Sequence, residues 1–123
     1  MKLIDQQDQT NIASQIRTSY NFITRLKGLM FVPDLADDEA MHIKPCHSVH
    51  TCFMRFPIDV VYVNEQLEVV AMEENMKPFR FGKLQPRAHS VFEFKAGTIQ
   101  NKEVYVGQKF LLKQEESEEH GIA

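Results

Sequence analysis

The chain lacks the surplus of Lys and Arg that a general nucleic-acid binder needs. It has 14 of them against 17 Asp and Glu, a net charge of −3, and neutralising phosphates takes a cationic face. It also lacks any apolar run near the ~18 residues of a membrane span. Its first ten residues turn polar at Asp5 and hold no apolar region of the kind that opens a signal peptide. The expectation is a cytoplasmic protein, monomeric by default, with neither a membrane nor strong nucleic-acid binding among its partners. Cysteine is scarce: Cys46 and Cys52 are the only two, and they stay reduced in that compartment. There is no internal repeat.

What is present fits one domain over residues 1–113, followed by an acidic tail, 114–123, expected to be disordered. A chain of 123 residues folds from roughly 21,000 Å² of accessible surface to about 7,000 Å². That suffices for a core without disulfide or metal staples, and nine Phe help to fill it.

Local patterns predict a mostly β (α+β) fold. Ile12, Ser14 and Ile16 alternate with Ala13, Gln15 and Arg17 as a half-buried strand does. Thr18 or Ser19 caps a short N-terminal helix from Tyr20 to Lys27, stopped by Gly28. Residues 33–40 carry four acids and read as an exposed loop. Met41 and Ile43 begin a strand that Pro45 ends. Ile58–Val63 is rich in β-branched residues and almost wholly apolar, and the turn Asn64-Glu65-Gln66 returns the chain as a strand over Leu67–Met72. Residues 75–90 read as a loop. Val91–Lys95 alternates as a strand, and short strands are expected at Val104–Val106 and Lys109–Leu112. Short connections favour antiparallel neighbours. The expected architecture is a small antiparallel β-barrel or sandwich of short strands with that one helix.

Reactive side chains concentrate between Met41 and Val63, which holds both cysteines, three of the five histidines and an aspartate inside an apolar run. Cys46, His47, His50 and Cys52 are competent zinc ligands. An extended 46–52 segment places the two sulfurs about 20 Å apart at ~3.3 Å per residue, so a site there requires a turn at 47–49, with His89 as a further ligand. Zinc is possible on chemistry and disfavoured by spacing, and the same spacing forbids an intrachain disulfide. Small buried hydrophobes are the ordinary role of such cysteines. A thiol hydrolase would combine Cys46 or Cys52 with His50 or His89 and Asp59, but no helix N-terminus lies under either cysteine to lower its pKa.

Asp59, flanked by Ile58 and Val60, requires satisfaction by backbone N–H groups or by a cation. His50, Thr51 and Met54, with Phe53 and Phe56 near them, suit the wall of an apolar pocket with few polar anchors. From Asn75 to Phe92 there is no acid, while Lys77, Arg80, Lys83 and Arg87 alternate with Phe79 and Phe81. Cations among aromatics suit phosphate, nucleotide or acidic-glycan ligands. Glu93 reads as a cross-strand ion-pair partner. The favoured reading is a binding module for a small polar or anionic ligand, with His50, Thr51, Met54, Asp59, Arg80 and Arg87 at the site. The alternatives are a metal- or Cys/His-dependent hydrolase, and a protein-interaction domain using the acidic 34–39 loop or tail and the basic 77–87 loop.

The runs Arg25-Leu-Lys-Gly-Leu-Met30, Pro45-Cys-His-Ser-Val-His-Thr-Cys-Phe-Met54, Pro57-Ile-Asp-Val60, Val91-Phe-Glu-Phe94 with Ala96-Gly97, and Val106-Gly107 occur in order. Together they resemble domain-of-unknown-function family 192, small bacterial and archaeal proteins, over residues 12–112. The resemblance implies a single compact domain, often secreted in relatives, and assigns no reaction. It keeps Asp59, and it keeps the segment of His50-Thr51 with Met54. Where the family commonly has Gly-Asp near the last strand, this chain has Gly107-Gln108, so a role for an acid there does not carry over.

Overall fold

The computed structural model describes residues 1–21, 35–46, 48–51 and 54–114. Most of the expected N-terminal helix, from residue 22 on, and the tail beyond Gln114 lie outside the described residues. The described elements are β1 (Lys2–Asp5), β2 (Asn11–Ala13), β3 (Gln15–Ser19), β4 (Glu39–Ile43), β5 (Ile58–Val63), β6 (Val69–Met76), β7 (Ser90–Lys95), α1 (Thr98–Asn101) and β8 (Phe110–Lys113). They form two open sheets, ordered β2-β1-β8 and β3-β4-β7-β5-β6.

The mostly β reading holds, with two corrections. The described strands close no barrel. One edge pair is parallel rather than antiparallel: β3 runs beside β4 from Gln15↔Glu39 to Ser19↔Ile43. The connection between them, residues 20–38, has the length that a parallel crossover requires.

Both faces of the five-stranded sheet are covered, which explains why β5 reads as almost wholly apolar rather than alternating. On one face Val61, Val63, Phe92 and Phe94 pack with Leu3, Ile12 and Phe110 of the smaller sheet. On the other, Ile58, Val60 and Tyr62 pack with Met41, Ile43, Met54 and Val91. All six residues of β5 are buried.

Three boundaries differ from expectation. β6 runs on to Met76, because β5 pairs with it as far as Ile58↔Met76. Residues 104–106 are no strand but part of a turn, with Glu103 at φ 55° and Gly107 at φ 95°, and Tyr105 and Val106 are exposed. The helix α1, near the C-terminus, is too short to show a periodicity. At the other end of the smaller sheet Gln108 donates to Asp5 Oδ2 at 2.7 Å and accepts the Tyr105 N–H. That bond, with the N–H groups of Gln7 and Asp8, holds the Asp5 carboxyl below its ordinary range. A carboxylate at 108 would face Asp5 with like charge, so the departure from the Gly-Asp pattern suits this neighbour.

Candidate functional site

The Met41–Val63 stretch and the basic loop, read separately in the sequence, pack against each other. Residues 48–51 lie antiparallel to 79–82. Gly82 N–H donates to Val49 O (2.8 Å), Thr51 N–H to Arg80 O (2.8 Å) and Phe79 N–H to Thr51 O (3.0 Å). His50 and Phe81 pair across this ladder, with ring centroids 6.4 Å apart.

Thr51 is fully buried, and its side chain is committed to the loop. The hydroxyl donates to Lys77 O at 2.6 Å and accepts the Arg80 N–H at 2.7 Å. The far side of the loop is held by a second contact. Tyr62 Oη donates to Glu73 Oε1 (2.7 Å), and the same oxygen accepts the Lys83 N–H (3.2 Å). Burial and this carboxylate push the Tyr62 pKa strongly up, so the phenol stays a donor. Gly82 lies directly on this contact. A Cβ there would stand 2.8 Å from Tyr62 Oη, 2.9 Å from Glu73 Oε1 and 3.2 Å from a Val49 methyl. Gly82→Ala is therefore expected to lift the loop off its seat, seen as faster amide exchange at 79–83 with the β5 amides unchanged.

Around these two attachments the loop exposes its side chains. Phe81 is 80% exposed, Leu84 64% and Phe79 61%, and Lys77, Arg80, Lys83 and Arg87 are exposed with them. Thr51→Val removes the shared hydroxyl and leaves the Lys77 carbonyl and Arg80 N–H without it. A loss of about 1–3 kcal/mol is expected in denaturant unfolding, together with loss of exchange protection at Arg80.

The other sequence candidates fall elsewhere. Met54 is a core residue of the second face. Asp59 is buried, and its carboxylate accepts the N–H of Asn75 (2.8 Å), Gly97 (3.0 Å) and Ile99 (2.9 Å). It hydrogen-bonds no histidine among the described residues, as a thiol-hydrolase triad would need. Cys46 is half-buried, and its thiol donates to Ser48 O at 3.0 Å. Cys52 lies outside the described residues, so the set Cys46, His50 and Cys52 is incomplete here. Among the described residues no three His, Cys, Asp or Glu side chains group as metal ligands.

Two polar groups were undervalued by sequence reasoning: His42 on β4 and Glu93 on the neighbouring β7. His42 is 1% exposed. Its ring stacks on Phe92 at 4.1 Å and bridges Tyr20 Oη (2.8 Å) and Ser90 Oγ (2.9 Å). Burial, assisted by Lys44 and His89, lowers its pKa to about 4, so the imidazole is neutral and bonds through both nitrogens. His42→Phe keeps the stack and strands the buried Ser90 hydroxyl. A loss of about 1–3 kcal/mol at pH 7 is expected, measured by urea unfolding.

Glu93 was expected to form an ion pair, and that expectation is corrected. It is 3% exposed, and its Oε1 has no hydrogen-bond partner. Burial alone raises its pKa to about 8. Alternation on β7 places it on the apolar second face, opposite Met41 on β4 and Val60 on β5. Phe92 and Phe94 are covered on one face of β7, and Met41, Val60 and the rest of the second cluster cover the other, so no wet face remains for Glu93.

The sequence and the fold were compared with known proteins. The family model described as Uncharacterized ACR (DUF192) matches residues 3–112. A curated UPF0127 protein of Pyrococcus furiosus is 35% identical over 101 residues, 80% of this chain and 86% of that one. The fold is similar to that of a Novosphingobium aromaticivorans protein of unknown function, with TM-score 0.73 and 20% identity over 79% of this chain and 74% of that one. A Sinorhizobium meliloti protein shares it at TM-score 0.70 and 20% identity over 78% and 79%. This chain belongs to the DUF192 (UPF0127) family.

Proposed function

We propose that the domain is a binding module for a small polar or anionic ligand, and that its site is the edge where residues 48–51 meet the basic loop. The carrying observation is a loop that is fastened at both ends yet exposes two phenylalanines, a leucine and four cations. Apolar side chains gathered on a surface mark interaction sites more often than scattered ones do. Here the backbone beneath them is fixed by the buried Thr51 hydroxyl and by the Tyr62–Glu73 pair. A site fixed before binding loses less ordering entropy when the ligand arrives.

His50 and Phe81 supply ring edges and faces, and Arg80 and Arg87 supply charge. Glu73, the carboxylate at Lys83, is engaged by Tyr62 and by the Lys83 N–H. Asp59 and Met54 hold the frame in this reading.

Calorimetric titration with pyrophosphate and with adenosine monophosphate tests it. Saturable binding is expected, tighter for the ring-bearing probe. Arg80→Ala is expected to weaken both about tenfold or more, as loss of one charge-assisted contact does. Phe81→Ala weakens only the nucleotide. An unchanged affinity in Arg80→Ala, or no binding of either probe at millimolar concentration, sinks the reading.

A further inference from the structure

Glu93 faces the same buried cluster as Tyr62, whose hydroxyl helps to seat the loop, but the loop reading gives Glu93 itself no role. A buried carboxyl ordinarily has hydrogen-bond partners; this one has an oxygen with none. Its surroundings are soft. Met41 is its cross-strand partner, and Met54 and Met76 belong to the same buried cluster. Methionines change rotamer at little cost and line adaptable binding surfaces.

The charged and titratable groups around it are committed elsewhere. On its own strand Lys95 reaches Asp37 (3.3 Å). On β4 Glu39 is paired with Arg17 (2.7 Å). On β5 and β6 Tyr62 and Glu73 bond each other, and from the overlying segment Cys46 donates to Ser48 O. No described cation is paired with Glu93, so a second anion brought beside it would lack a counter-charge. A neutral acceptor would not.

We propose that Glu93 is the hydrogen-bond donor of a second, closed site on this face of the sheet, which opens by movement of Met41 and takes a small apolar molecule carrying one carbonyl acceptor. The protonated carboxyl supplies the O–H, and the methionine and valine side chains supply the apolar walls. Because burial keeps the group protonated up to about pH 8, the donor is present at neutral pH and lost above it.

The test is methyl NMR of the full chain carrying labelled methionine, titrated with cyclohexanone and with cyclohexane. Saturable shifts of the Met41 methyl are expected with both, with cyclohexanone bound more tightly at pH 7. The neutral fraction of an acid with a pKa of about 8 falls about tenfold between pH 7 and pH 9, so the preference for the ketone should fall by about that factor. Glu93→Gln, which keeps an N–H donor, should retain the preference at pH 9. Glu93→Leu should bind both probes alike. The proposal is overturned if the Met41 methyl does not respond, if the ketone preference in the wild type is the same at pH 7 and pH 9, or if it persists in Glu93→Leu. The pH comparison uses the wild type alone, so it decides even where a variant folds poorly.

Discussion

Glutamine in place of Glu93 is expected to stabilise the protein by about 3–5 kcal/mol at pH 8 and to leave its stability unchanged at pH 4. The sign follows from proton binding. In the unfolded chain the carboxyl ionises near its ordinary pKa of 4.5, and in the fold only near 8. Below pH 4.5 both states are protonated and the group is neutral in its effect. Between 4.5 and 8 the folded state binds the extra proton, so each pH unit removes about 1.4 kcal/mol of stability. Above 8 both states are ionised and the loss is complete. Glutamine never ionises, so its advantage grows across this window.

His42 opposes this slope over part of the range. Its folded pKa is lowered from 6.5 to about 4, so the unfolded state takes up the proton first and stability falls as pH drops from 6.5 toward 4. From about 4.5 to 6.5 the two slopes offset each other. Above 6.5 only the Glu93 slope remains. The wild type should therefore show a plateau and then a decline toward pH 8, while Glu93→Gln should rise from pH 4 to 6.5 and stay level. Urea unfolding at pH 4, 6 and 8 reads both curves. A wild type as stable at pH 8 as at pH 6 would mean that Glu93 is already ionised in the fold.

The parts of this fold that were legible in the sequence are those decided by local chemistry. Ile58–Val63 has the composition that a strand covered on both faces demands, and its observed bounds are those expected. The turn at Asn64 follows from its side chain, whose oxygen accepts the N–H of Gln66 and of Glu68. What was not legible depends on partners distant in sequence. The two sheets could not be told from one barrel, because pairing of Lys2–Asp5 with Phe110–Lys113 leaves no local trace. The same holds at the site. Thr51 reads as a pocket residue, whereas its hydroxyl serves carbonyl and N–H groups nearly thirty residues on. Glu93 reads as a cross-strand ion-pair partner because the second cover of its strand is contributed by residues remote from it in the chain.

Asp59→Ala should cost about 3–5 kcal/mol, the largest loss expected from a single truncation here. Its carboxylate accepts three N–H groups from two separate segments: Asn75 in β6, and Gly97 and Ile99 at the start of α1. The first turn of a helix leaves N–H groups without intrahelical acceptors, and α1 has no side-chain cap of its own. Asp59 fills that role from β5, forty residues away from Ile99. A bond to a charged acceptor contributes about 1.5–3 kcal/mol, and a buried N–H left without one loses comparably. Gly97 and Asn75 are exposed enough to recruit water, whereas the Ile99 N–H is buried, which keeps the sum below three full bonds. Asp59→Asn separates support from ligand contact. With its oxygen toward Gly97 and Ile99, the amide nitrogen faces the Asn75 N–H, donor against donor. A structural carboxylate then predicts a loss of about 1–3 kcal/mol and faster amide exchange at Asn75. A carboxylate whose role is to orient ligand predicts unchanged stability with pyrophosphate and nucleotide binding abolished. Denaturant unfolding and calorimetry on this one variant decide between them, because the two roles move different measurements.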